Sequence, residues 1–192
     1  ITTIFKFMKA IQFILILFIL AFSGSPSIVS AQEEVANQVF QQRRQKLMSQ
    51  LTNRDLVVMT SAPVKNRNGS VNYAYRQRSS FYYLTGFKQP HAAFIIQPKH
   101  EHEFIMFLPS QGPVVNAYTG RKPGIQQAMD VFEADTAYAI GEFDHFLRRQ
   151  MRSREVLYMS PDDEPLLEMM HAFGEGGGLN GLIAVKNLSK IV

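Results

Sequence analysis

The pattern of hydrophobic and polar positions predicts alternating helices and strands beyond the first 31 residues. Apolar residues recur at three- and four-residue spacing from residue 33 to residue 51, which predicts an amphipathic helix with the polar run 41–46 facing solvent. Short apolar runs bounded by polar residues predict strands. The predicted strands are 56–59, 81–84, 92–96, 104–108, 136–140 and 155–159. The further predicted helices are 125–132, 142–151 and 164–173.

The order of these elements predicts an α/β fold. Strands 92–96 and 104–108 flank the polar segment Pro98–Glu103, which predicts a hairpin with a solvent-exposed tip. After residue 125 helices and strands alternate, and such alternation implies crossover connections between parallel strands. We therefore predict a mixed sheet with helices on both faces. Asp163 is the predicted N-cap of the last helix.

The first 31 residues have the pattern of a secretory signal peptide. Lys6 and Lys9 precede an apolar run over residues 13–22, and small residues follow up to Ala31. A permanent membrane anchor would need about 20 apolar residues, and Gly24 interrupts the run too early. We expect cleavage after Ala31, export to the periplasm or the medium, and no permanent membrane anchor.

Composition limits the partners and the chemistry. The chain has 20 Lys and Arg against 16 Asp and Glu, a formal net charge of +4, and two of the basic residues lie in the signal segment. Because there is no run of basic residues, nucleic acid is not expected as a partner. The chain has no cysteine, which excludes disulfide bonds and thiolate metal ligands.

Two clusters of polar side chains could carry metal or acid–base chemistry. His100 and His102 alternate on one side of the chain and could bind zinc or copper, but no third ligand follows at a defined spacing. We interpret this segment as a solvated hairpin tip. Asp162, Asp163 and Glu164 could serve acid–base work or hold a cation, yet capping and the helix dipole explain negative charge at a helix start. The sequence therefore assigns no catalytic residue and no metal ligand to this chain.

The segment Tyr73–Ala92 is more informative than either cluster. A polar loop leads into the aromatic run 81–84, which we predict as a strand because aromatic residues favour a pleated, half-buried surface. Gly86 then permits a backbone turn that a side chain would resist. The segment resembles a string in the N-terminal domain of aminopeptidase P, the Xaa-Pro aminopeptidases of the creatinase/prolidase group. The matching positions are Tyr75, Arg76, Gln77, Ser79, Phe81, Tyr83, Thr85, Gly86 and Phe87.

A second stretch, Tyr118–Gly124, resembles a loop of the same family in which an aromatic residue precedes Gly-Arg-Arg or Gly-Arg-Lys. The resemblance implies that Tyr118 lies near the active-site mouth of an adjoining subunit, with Arg121 in the same loop, although the family has tryptophan at this position. An ordinary turn bracketed by glycines is the alternative. Tyr75 and Arg76 are further candidates for an interface or a substrate entrance, since tyrosine and arginine are frequent at interface hot spots. A structural role for Arg76 is the alternative there.

The resemblance also implies a domain organisation and a function. It implies an N-terminal domain of the creatinase/aminopeptidase P type over residues 32–173, then a linker over 174–192 that leads toward a C-terminal catalytic domain absent from this sequence. Family members release the residue that precedes proline and use two divalent metals, usually manganese, bound in that C-terminal domain. None of its metal-binding motifs occurs here, so we expect no cofactor in this chain and no activity of the chain alone.

We therefore expect a non-catalytic N-terminal domain of an exported Xaa-Pro aminopeptidase, which shapes the active-site entrance and mediates contacts in a homo-oligomer. Peptides with proline at the second position would be bound through the missing domain. The N-terminal domain of a prolidase and a free-standing envelope binding or scaffold module are the alternatives.

Overall fold

The computed structural model describes residues 28–109, 124–175 and 184–191. The chain divides into two compact units, residues 1–35 and residues 36–192, and the sheet and its core belong to the second. The helices are α1 (Ile28–Met48), α2 (Ser79–Thr85), α3 (Ile125–Phe132), α4 (Phe143–Met151) and α5 (Glu164–Glu175). The strands are β1 (Asp55–Thr60), β2 (Asn66–Asn68), β3 (Val71–Asn72), β4 (Ala93–Ile96), β5 (Phe104–Leu108), β6 (Thr136–Ala139), β7 (Val156–Met159) and β8 (Ala184–Asn187). Short 3-10 helices cover Ile140–Glu142 and Leu188–Lys190.

Six of the strands form one mixed sheet in the order β6-β5-β4-β1-β7-β8. β1 lies at its centre, antiparallel to β4 and parallel to β7. β4 and β5 form the predicted antiparallel hairpin, and β6 and β8 pair in parallel with β5 and β7. The mixed α/β fold predicted from the sequence is confirmed.

Helices cover both faces of this sheet because side chains alternate along its central strands. Val57 and Met59 of β1 point to one face, where they share a hydrophobic cluster with residues of α1, α2 and α3. Leu56 and Val58 point to the other face and pack in a second cluster with residues of α4 and α5. All four side chains are fully buried.

The strand predicted over residues 81–84 is wrong, since this segment lies in helix α2. Phe81, Leu84 and Thr85 are buried, while Tyr82 and Tyr83 are exposed by 37% and 38%. Buried positions at i, i+3 and i+4 are helical spacing, whereas a strand would bury every second residue. The aromatic composition of the run favoured a strand. The residues that are buried lie on one face of a helix, and this spacing explains why the segment is helical.

The linker predicted over residues 174–192 does not hold for residues 184–190. β8 extends the sheet beside β7, with Leu157 opposite Val185, and Leu188 behind it is fully buried. Helix α5 also continues past the predicted end to Glu175. Backbone pairing with β7 therefore makes this part of the chain a component of the domain.

Most of the predicted signal peptide lies outside the described residues. Its last four positions, residues 28–31, are helical in the intact chain, because α1 begins at Ile28 and not at residue 33 as predicted. Within the described ranges, no helix is both long and apolar enough to cross a membrane.

Candidate functional site

A groove of about 440 Å³ opens at the carboxyl ends of the parallel strands β1 and β7. We call it the loop groove. Its walls are residues 62–65, which follow β1, the loop 73–79, and the start of α5 at Asp162 and Glu164. Ligands of α/β proteins commonly bind outside the carboxyl ends of strands, so this position suits a binding site.

Asp163 joins the two strand ends beneath the loop groove. Its side chain is fully buried and accepts a hydrogen bond of 2.7 Å from the backbone N–H of Thr60 and another from the Thr60 hydroxyl. Leu166 N–H donates to the same carboxylate at 3.4 Å, which confirms Asp163 as the N-cap of α5. Burial raises the pKa of Asp163, and the hydrogen bonds from Thr60 and the nearby Arg78 charge oppose that effect. The sequence predicted the cap but not the bond between helix and central strand.

Arg78 anchors the loop to the start of α5. Its side chain is only 8% exposed and forms ion pairs with Asp162 at 3.6 Å and with Asp163 at 3.5 Å. The guanidinium also donates to the backbone carbonyl of Asp162. Arg78 therefore has a structural role, because its contacts connect the loop to the start of α5.

Gln77 holds the same loop from its other side. Its side-chain oxygen accepts hydrogen bonds from the backbone N–H groups of Ala62 and Arg78, and its amide donates to the Gln89 carbonyl at 3.1 Å. Tyr75 donates its hydroxyl to the same Gln89 carbonyl at 3.4 Å, and burial raises the pKa of this phenol. A loop without regular secondary structure is therefore fixed in one conformation by side-chain hydrogen bonds.

Arg76, by contrast, is exposed on the wall of the groove. Among the residues described, no hydrogen bond or ion pair engages its guanidinium. The structure thus places the predicted residues Tyr75 and Arg76 in one groove. Tyr118 and Arg121, the other two predicted residues, lie outside the described residues.

Most of the remaining signature residues build the core. Phe81 and Phe87 are buried, and the Thr85 hydroxyl donates to the Phe81 carbonyl at 2.8 Å and accepts from the Phe87 N–H at 3.0 Å. Gly86 ends α2 with a φ of 70°, in the left-handed region that favours glycine. The predicted turn at Gly86 is confirmed.

The groove and the fold around it can be set beside known proteins. The family model described as the N-terminal domain of aminopeptidase P matches residues 40–158. The chain belongs to this family. That match covers α2, the part of the loop groove before the start of α5, and the sheet from β1 to Tyr158 of β7.

Relatives of this aminopeptidase P domain include the Xaa-Pro aminopeptidase of Haemophilus influenzae, 32% identical over 124 residues that make up 64% of this chain and 29% of the relative. The mitochondrial intermediate cleaving peptidase 55 of Arabidopsis thaliana is 36% identical over 110 residues, 57% of this chain and 22% of the relative. The chain therefore spans less than a third of the length of these two relatives.

Solved structures show the same relationship. Aminopeptidase PepP of Pseudomonas aeruginosa superposes with a TM-score of 0.67 at 27% identity, over 73% of this chain and 33% of that one. Aminopeptidase P from Escherichia coli, in a low-pH form, gives a TM-score of 0.66 at 26% identity, over 79% of this chain and 36% of that one.

Sequence reasoning missed a buried arginine of this domain. Arg44 lies in the run predicted to face solvent, yet it is 3% exposed. It donates to the backbone carbonyls of Leu84 at 3.0 Å and Phe132 at 3.4 Å, and lies 3.5 Å from the Glu133 carboxylate. Burial lowers its pKa to about 10, which Glu133 partly offsets. Arg44 thus caps the ends of α2 and α3. The sequence could not show this role, because the two helix ends come together only in the folded chain.

A second buried arginine, Arg154, explains one of the two histidines at the hairpin tip. Arg154 is 3% exposed and donates to the Asn53 carbonyl at 2.6 Å and the Gln97 side chain at 3.0 Å, and it also contacts Nε2 of His100. Burial lowers the pKa of Arg154. His100 thus packs against a buried cation from the surface of the hairpin tip.

The described residues do not fit the two-metal site expected in the family. Nowhere in residues 28–109, 124–175 and 184–191 do three His, Asp or Glu side chains converge in a way that could hold a metal ion.

Proposed function

We propose that this chain is the non-catalytic N-terminal domain of an exported Xaa-Pro aminopeptidase, a metallopeptidase that releases the residue preceding proline. The observation that carries the proposal is the match to the aminopeptidase P N-terminal domain over residues 40–158. The relative from Haemophilus influenzae, of which this chain spans 29%, is named a Xaa-Pro aminopeptidase. In this proposal the rest of the protein supplies the two divalent metals, manganese by family resemblance, and the catalytic residues.

The work of the domain, in the same proposal, is to shape the entrance to the active site and to contact neighbouring subunits of a homo-oligomer. The loop groove supports this because it presents Arg76 and Tyr75 on a loop that Gln77 and Arg78 hold in place. Fixed aromatic and arginine side chains contact partners at low cost in conformational entropy. Tyr118 and Arg121 complete the set of candidate contact residues.

An activity assay tests the proposal. The native protein, purified from its source, and this chain alone are each incubated with manganese and a peptide that has proline at its second position. The expected result is release of the first residue by the native protein and no release by the chain alone. Hydrolysis by the chain alone would contradict the assignment as a non-catalytic domain. A native protein without Xaa-Pro activity would point to a binding or scaffold module.

A further inference from the structure

The loop groove combines an exposed cation with a rigid frame. Arg76 is exposed on its wall and makes no hydrogen bond or ion pair with any residue of the described ranges. The neighbouring residue Gln77 makes three hydrogen bonds, to Ala62, Arg78 and Gln89, which hold the backbone on which Arg76 stands. The guanidinium is therefore presented to solvent from a prearranged loop, as a binding residue would be.

The basic side chains of the groove differ in whether a carboxylate pairs with them. Arg78 lies 3.6 Å from Asp162 and 3.5 Å from the buried Asp163. Lys65 and Arg76 line the groove without an ion pair among the described residues, and Glu164 is the remaining carboxylate of the lining. An anionic group is the ligand that the exposed guanidinium of Arg76 favours, because a guanidinium binds a carboxylate through two parallel hydrogen bonds.

The size and lining of the groove favour a peptide over a small inorganic anion. Its volume of about 440 Å³ lies within the range of sites for organic ligands. Tyr73, which is 57% exposed, adds an aromatic face to the wall, and Pro63 and Ala62 add apolar surface. An extended peptide could cover this surface while its carboxylate contacts Arg76.

We propose that the loop groove binds a carboxylate group of a peptide, with Arg76 as the pairing cation and Tyr73 as a packing surface. This inference rests on the proposed function, in which the protein handles peptides. The carboxylate comes either from the C-terminus of a short peptide or from an acidic side chain, and both present the same group to Arg76.

Fluorescence anisotropy with this chain tests the inference without any hydrolysis. Three six-residue peptides share a proline at the second position, otherwise neutral side chains, and a neutral fluorophore in the middle. One has a free C-terminal carboxylate, one a C-terminal amide, and one a C-terminal amide with a glutamate next to it. The proteins are the unchanged chain, Arg76→Gln, and the control Arg152→Gln, which changes an exposed arginine that precedes β7 and so lies at its other end.

The free acid should bind about fivefold more tightly than the amide, a ratio expected for one partly exposed ion pair. That ratio should fall to about one in Arg76→Gln and persist in Arg152→Gln, and added salt should reduce it. Tight binding of the glutamate-bearing amide would identify an acidic side chain as the natural source, and weak binding would identify the C-terminus. Because Arg76 is exposed and its side chain makes no hydrogen bond or ion pair with the described residues, the variant should keep the melting temperature of the unchanged chain.

Equal binding of the acid and the amide would overturn the inference, as would equal losses in Arg76→Gln and Arg152→Gln. Either result would leave the proposed function standing, because that function is tested by the Xaa-Pro activity of the native protein.

Discussion

At the scale of single residues, the signature segment divides into side chains that build the fold and one that faces outward. Phe81, Thr85 and Gly86 are committed to the core and to the end of α2. Arg76 alone among the charged residues of the loop stands exposed on the groove wall without a partner in the described structure. The resemblance picked out both the buried and the exposed residues of the segment. It could not distinguish the two groups, because burial depends on parts of the chain that are distant in sequence.

Gly86 provides a prediction at this scale. An alanine Cβ at this position would lie 2.5 Å from Cε2 of Phe40, and the φ of 70° would strain it as well. Gly69 has a φ of 53° and no atom near an added Cβ, so it serves as a matched control. The strain alone costs about 1–2 kcal/mol, and the overlap with Phe40 should add about 1–3 kcal/mol.

Urea denaturation measures both variants. Gly86→Ala should lower the free energy of unfolding clearly more than Gly69→Ala does. Equal losses in the two variants would show that Phe40 does not pack against Gly86 as described.

At the scale of elements, the apolar pattern correctly predicted the helices and strands with regular spacing. It failed where backbone pairing or contacts between distant parts of the chain determine the structure. β1, the β4–β5 hairpin and α3 follow from apolar spacing, and the structure confirms them. β8 has no buried run, with its two central residues exposed, and it exists because its backbone pairs with β7. The helical spacing of Phe81, Leu84 and Thr85 was present in the sequence, but the aromatic composition outweighed it. Composition is therefore a weaker guide than spacing in a segment this short.

Asp163 provides a prediction at this scale, because it connects β1 to α5. Burial raises its pKa, so the folded protein keeps this proton to a higher pH than the unfolded chain does. The contribution of Asp163 to the free energy of unfolding therefore decreases as pH rises above the ordinary aspartate range, by at most about 1.4 kcal/mol per pH unit. Asp163→Asn cannot titrate and should lose this dependence.

Denaturation of the unchanged chain and of Asp163→Asn between pH 4 and pH 7 measures the effect (a range of about three pH units). The stability advantage of the unchanged chain over the variant should shrink as pH rises. Asp162→Asn controls for loss of one carboxylate at the same helix start. An advantage that stays constant or grows with pH would show that burial does not dominate at Asp163.

At the scale of the whole molecule, the chain is a member of the aminopeptidase P N-terminal domain family and spans 29% of its relative from Haemophilus influenzae. Its sheet of six strands is covered by helices on both faces. The loop groove, which has a polar lining, opens at the carboxyl ends of β1 and β7. The family could be predicted from nine residues of the signature segment. The groove could not, because its loop and the start of α5 lie far apart in sequence, with Arg78 and Asp162 separated by 84 positions.

Intact mass spectrometry of the mature native protein, purified from its source, shows whether this domain is joined to a further domain. The present chain has a mass of 21.8 kDa. Under the proposed function we expect a mass well above this value, because in that proposal the rest of the protein supplies the catalytic residues. A mature mass at or below 21.8 kDa would contradict the account and identify a stand-alone domain.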